Sequence, residues 1–183
     1  MGGSKNQKAK GTHNVDRQVA ETIYNADTIY LASPEPSAQE RAEDLFRRGE
    51  RSLREGFYES AVAHLTQCVD LGALGPSATA DARFFHALAI LGGKRPSMCS
   101  GSQLTTALKA LGPSPHTAHA RFLLALVEED RTNAWMDSPR IPGNLRLMAQ
   151  QVDRSHAELI CRHVPARESR VWRALNEHVE GTV

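Results

Sequence analysis

A chain of 183 residues with a hydrophobic fraction of 40% can bury one core with appendages, and aromatics at 5% make that core largely aliphatic. A formal charge of +1 provides no whole-molecule field to draw nucleic acid or a membrane surface. The three cysteines, Cys68, Cys99 and Cys161, are odd in number and lack metal-ligand spacing, which argues against a disulfide framework and a zinc site.

Residues 1–14 are polar and rich in Gly and Lys, and are expected to form a disordered tail. Lys5, Lys8 and Lys10 have no acid to balance them, which reads as a solvated end or a cloning remnant. No apolar segment follows them, as a secretory signal would require. The longest apolar run, Phe122–Val127, is six residues, far short of a membrane span. These features predict a cytoplasmic protein without a membrane anchor. Beyond Lys10, lysine occurs only at Lys94 and Lys109 while arginine persists, a bias typical of a GC-rich bacterial genome.

Residues 15–33 form a leader and linker. Within them Glu21-Thr22-Ile23-Tyr24-Asn25-Ala26 is followed by Asp27-Thr28-Ile29-Tyr30-Leu31-Ala32, a doubled Thr-Ile-Tyr pattern of strong strand composition. Its even period keeps side chains on the same faces, and Asn25-Ala26-Asp27 can turn between the copies. The strand reading is favoured, although Val15, Val19, Ile23, Ala26 and Tyr30 also share a helix face, so both readings stay open. Two short strands are marginal alone. Ile23, Tyr24, Ile29 and Tyr30 are therefore candidates for self-association into a homo-oligomer.

Pro34 and Pro36 punctuate the chain, and from Ser37 onward it reads as helix. An internal repeat organises residues 37–130. Ala42, Ala80 and Ala118 are spaced 38 apart, as are Phe46, Phe84 and Phe122, and Gly49, Ala87 and Ala125. Thr79-Ala80-Asp81-Ala82-Arg83-Phe84 is echoed by Thr117-Ala118-His119-Ala120-Arg121-Phe122, and Ala73-Leu74-Gly75-Pro76-Ser77 by Ala110-Leu111-Gly112-Pro113-Ser114.

In the first unit Ser37 with Glu40 makes a capping box, and a helix runs to about Arg54. Gly56 ends it. Phe57-Tyr58 starts a second helix with Ala61, Val62, Leu65, Cys68 and Val69 on one stripe, stopped by Gly72, Gly75 and Pro76. The small residue at Gly49 lets the partner helix approach. Two such helices cannot hide their stripes alone and must stack on neighbours.

Ala42, Leu45, Gly49, Tyr58, Ala61, Leu65 and Cys68 resemble the consensus positions of the tetratricopeptide repeat. The second unit fits in its first helix, about Ser77–Leu91, but Gly92–Gly101 is longer than that family's tight turn, and the helix at about Ser102–Leu111 is short. The third has a first helix capped by Ser114, with Pro115 in its first turn, running to about Asp130. Residues 140–181 are expected to form a cap of two helices, from Asn144 to about His163 and from about Ala166 to Val179. The predicted class is thus all-α: an antiparallel helix-pair stack with two C-terminal capping helices, preceded by the short β segment. The leader has a weaker likeness to strand-forming leaders of bacterial conflict and defence proteins.

No catalytic arrangement stands out. Gly93-Lys94 lacks the rest of a phosphate loop, and neither a nucleophile elbow nor an H-E-x-x-H motif occurs. His116 and His119 share a face without a third ligand and read as surface residues; His156, His163 and Cys161 form no better set. No metal or cofactor is therefore expected, and the chain reads as a non-enzyme. The resemblance implies protein binding on the face of the first helices, where Phe46, Glu50, Leu53, Phe84, Phe85 and Leu88 fall, with Trp135 as a second anchor. Packing between repeats is the favoured reading of the phenylalanines over an open groove. The leading expectation is an adaptor or scaffold for a protein partner. The alternative is a regulator binding a small anion through Lys94 and Arg95, with Arg83 and Arg121 nearby. The arginine-rich C-terminal end lacks a helix-turn-helix signature, so DNA binding is not expected.

Overall fold

The computed structural model describes residues 35–112, 116–134 and 143–181, and every regular element among them is helical. The doubled Thr-Ile-Tyr leader lies outside the described residues, as do Ser114, Pro115 and Trp135.

Helix α1, Ala38–Arg54, begins at the expected capping box: Glu40 N donates to Ser37 Oγ at 3.2 Å, and Ser37 N donates to the Glu40 carboxylate at 2.7 Å. After a three-residue connection, α2 spans Tyr58–Leu71 and ends at Gly72 in the left-handed conformation, φ +59°. Ala42, Gly49 and Leu53 of α1 are buried against Ala61, Leu65 and Cys68 of α2, an aliphatic interface. The predicted close approach at Gly49 is present, and it is made by Leu65: a Cβ on Gly49 would stand 2.5 Å from Leu65 Cγ.

Helix α3, Pro76–Leu91, has proline in its first turn, where the missing N–H costs nothing. Its Phe84, Ala87, Leu88 and Leu91 are fully buried, because α1, α2 and α4 (Gly101–Leu111) all pack on it. The long connection between α3 and α4 contains a 3-10 turn at Pro96–Met98 and ends in a second capping box, Ser100 with Gln103. Helix α5, Ala118–Ala134, starts later than expected, after Thr117, and runs past Asp130.

The C-terminal region departs from expectation. The single helix predicted from Asn144 to His163 is two: α6, Leu145–Gln150, and α7, Arg154–His163. The cause is Asp153, whose carboxylate accepts from Ser155 N at 2.9 Å and from its hydroxyl at 2.6 Å, starting a new helix in mid-pattern. Helix α8, Arg170–Glu180, starts four residues later than read, at the Ser169 cap. Three helices therefore close this end, with Val152, Ile160, Val164, Val171 and Leu175 buried in the shared core.

Two adjacent acids of α5 hold these parts. Glu129, 2% exposed, accepts from Ser169 Oγ, from Arg170 N at 3.2 Å and from Val171 N at 2.9 Å, so a buried carboxylate sits on the N-terminus of α8. Asp130, 1% exposed, accepts from Arg95 Nη2 at 2.7 Å and Nε at 3.2 Å and from Ser97 N at 2.8 Å, fixing the α3–α4 connection. Burial alone would raise both carboxyls, but these hydrogen bonds outweigh it and hold both below the usual carboxylate range.

Candidate functional site

The face formed by the first helices of each pair is occupied. Helix α7 lies against α3 and α5, and the side chains between them are aromatic. Phe85 meets Phe46 edge-on at 5.6 Å and Phe84 at the same distance, while His156 of α7 stands 5.5 Å from the Phe84 ring and 6.1 Å from that of Phe85. Leu53, Phe84 and Leu88 are fully buried and Phe85 nearly so, which corrects the expectation that they line an open binding face. Phe84 and Phe85 pack against His156 of α7, whereas Leu53 packs against α2. Phe46 stays half-buried, and Glu50 accepts from Arg54 Nε and Nη2 of the next turn at 3.0 and 2.8 Å.

Arg95 is likewise committed. Besides Asp130 it reaches Glu168 at 2.9 Å, and these two carboxylates raise its already high pKa. The anion-binding pair is therefore split: Arg95 is a structural tie and only Lys94 is left. Arg83 and Arg121 are exposed. Ile23, Tyr24, Ile29, Tyr30 and Trp135 fall outside the described residues.

Inside the occupied face lies a cluster that sequence spacing hides. His119 of α5 stacks on His156 of α7 with ring centroids 4.2 Å apart and planes 7° from parallel. His119 Nε2 is 3.4 Å from Asp81 Oδ1 of α3, and His156 Nδ1 is 3.6 Å from Asp153 Oδ1. One ligand atom each from Asp81, His119 and His156 falls within 4.8 Å of the others. Burial, and then the neighbouring His156, push His119 down to about 4, so its ring is neutral near pH 7; burial raises Asp81. His119 is thus buried, against the expectation of a surface residue, while His116 is exposed. The only sequence signal was the 38-residue echo placing His119 where the preceding unit has Asp81.

The other histidine of α7 faces the first helix pair. His163, 2% exposed, has Nδ1 3.1 Å from the Tyr58 hydroxyl, and the Tyr58 ring stands edge-on to it at 5.7 Å. Tyr58 is seated in turn against Gly93, whose φ of +72° and lack of a Cβ leave room for the phenol; a Cβ there would be 2.5 Å from the hydroxyl.

An open concavity lies elsewhere. A groove of about 840 Å³ runs between the start of α2 and the start of α4, floored by the end of α3. Phe57, Val62 and Ile90 line it with Lys94, Ser102 and Thr106. Phe57 is 62% exposed, and Lys94 makes no ion pair among the described residues. The three free thiols offer no nucleophile to any of these sites: burial raises the pKa of each, Cys161 to about 12. No protein-family model, no curated protein and no solved structure matches this chain.

Proposed function

We propose that the chain is a non-enzymatic interaction module that seats a short segment of a protein partner in the groove between α2 and α4. The observation that carries this reading is the contrast between the two faces. The phenylalanine face is filled by α7, whereas the groove leaves Phe57 standing in solvent beside Val62 and Ile90. A small apolar floor with an aromatic at its edge and a polar rim is the composition of a peptide-docking site. The occupant that fits is an apolar side chain over Phe57 and Ile90, with a carboxylate of the same segment facing Lys94. In the same reading the doubled Thr-Ile-Tyr leader brings copies of the chain together, as in an adaptor or scaffold.

The test is a comparative affinity capture followed by binding of the purified partner. Wild type, Phe57→Ala and Lys94→Glu are compared with Leu147→Ala, an exposed apolar position on α6. The reading expects a partner retained by Leu147→Ala and lost by both groove variants, with the purified pair behaving alike. Capture that does not distinguish Phe57→Ala from wild type would refute it.

A further inference from the structure

We infer that Asp81, His119 and His156 form a binding site for a divalent transition-metal ion of the zinc class, an ion that ties α3, α5 and α7 together. Three observations meet here. The donors come from three helices far apart in sequence, yet one ligand atom of each lies within 4.8 Å of the others. His119 is 8% exposed, and its Nε2, 3.4 Å from the Asp81 carboxylate, has no hydrogen-bond partner. A buried polar nitrogen left in that state is costly unless something completes it. Finally, His156 Nδ1 is also buried without a hydrogen-bond partner, with the Asp153 carboxylate 3.6 Å away.

Two imidazole nitrogens and one carboxylate oxygen select zinc, cobalt or nickel over calcium or magnesium, which take oxygen donors. Bond lengths near 2.1 Å require the donors to converge on one point. Ligand atoms spread over as much as 4.8 Å must draw together, so one imidazole must move as the ion enters. His156 is the one placed to do so, with its side chain 21% exposed against 11% for His119. Three protein donors leave a fourth position for water. Glu50 is close enough to act electrostatically on Asp81.

The experiment titrates chelator-treated full-length protein with zinc chloride by calorimetry, and with cobalt chloride by visible absorption. The expected result is saturation at one equivalent, with a cobalt spectrum of nitrogen and oxygen donors lacking a thiolate charge-transfer band. His156→Gln and Asp81→Asn should each weaken zinc binding roughly tenfold or more, while a Cys99→Ser/Cys161→Ser variant binds as wild type. Circular dichroism melts confirm that each variant is folded; wild type should gain melting temperature with zinc and His156→Gln should not. Absence of saturable uptake by the wild type overturns the site. So does a thiolate band in its cobalt spectrum, a readout that needs no variant to fold, or equal affinity in wild type and both ligand variants.

Discussion

The first helix pair and the C-terminal helices are attached to the same core by different means. Between α1 and α2 every buried side chain is aliphatic or small, and the Cys68 thiol donates to the Ala42 carbonyl at 3.3 Å. The partners are close in sequence, so little loop entropy opposes their meeting. Helices α7 and α8 are fixed by buried polar groups reaching across long separations: Glu129 to the start of α8, and His163 to Tyr58. Apolar contact supplies adhesion without direction, whereas a buried carboxylate accepts only where its donors stand. The C-terminal helices bury apolar side chains in the shared core, and directional bonds set where they dock.

The largest effects should come from breaking those bonds. Asp130→Asn leaves Arg95 a neutral amide oxygen and Glu168, which is 81% exposed, and turns an NH2 group toward buried donors. The expected loss is about 3 kcal/mol of unfolding free energy. Glu129→Gln keeps one acceptor for Val171 N but loses the charge at the α8 N-terminus, and should cost about 2 kcal/mol. Urea unfolding followed by circular dichroism measures both. If each variant lost under about 0.5 kcal/mol, apolar packing alone would hold the C-terminal helices and the contrast would fail.

The next effect is a dependence on acid that belongs to the C-terminal side. Burial, and then Arg162 and Arg54, push His163 down to about 4, against about 6.5 for an unfolded histidine. A histidine with a depressed folded pKa contributes stability that is full above the unfolded value and is lost as pH falls toward the folded one. Between pH 7 and pH 5 the loss should be about 2 kcal/mol. Protonation at Nδ1 also removes the acceptor that the Tyr58 hydroxyl faces. His119, lowered likewise, works in the same window, so His163→Gln should shrink the loss without abolishing it. Glu129 and Asp130, with lowered pKa values, give up their contributions only further into acid. Melting temperatures recorded from pH 7 to pH 4 for wild type and His163→Gln would expose an unchanged slope, which would count against the His163 contact.

The same division governs what the sequence made legible. Capping at Ser37, the stop at Gly72 and the stripe through Ala61 and Leu65 depend on neighbours within one helical turn or across one short connection, so periodicity reveals them. The break at residues 151–153 was missed because Leu145, Met148, Val152, Leu159 and Ile160 hold helical spacing through it; only the side chain of Asp153, bonding to Ser155, diverts the backbone. Packing of Phe84 and Phe85 was legible, but not their cover by α7, which packs on α3 from more than sixty residues away. His119 and His156 are separated by 37 positions and meet only once three helices are assembled, beyond any local motif.

The smallest effect lies in the first pair. Gly49→Ala gains roughly 0.5–1 kcal/mol of helix propensity in mid-helix. Against that, the new methyl would stand 2.5 Å from Leu65 Cγ and 2.8 Å from its Cδ2, both in a fully buried side chain that has nowhere to retreat. Overpacking of this kind costs about 1–3 kcal/mol, so a net loss of about 1 kcal/mol is expected. Leu65→Ala alone should cost more, about 3 kcal/mol, by leaving a cavity. The double variant places a methyl in part of that cavity, so its loss should be smaller than the sum of the two singles. Because the defect is confined to α1 and α2, the acid dependence set by His163 should keep its slope in Gly49→Ala. A changed slope would mean that strain at this interface reaches Tyr58 at the start of α2, and that the two attachments are coupled through it.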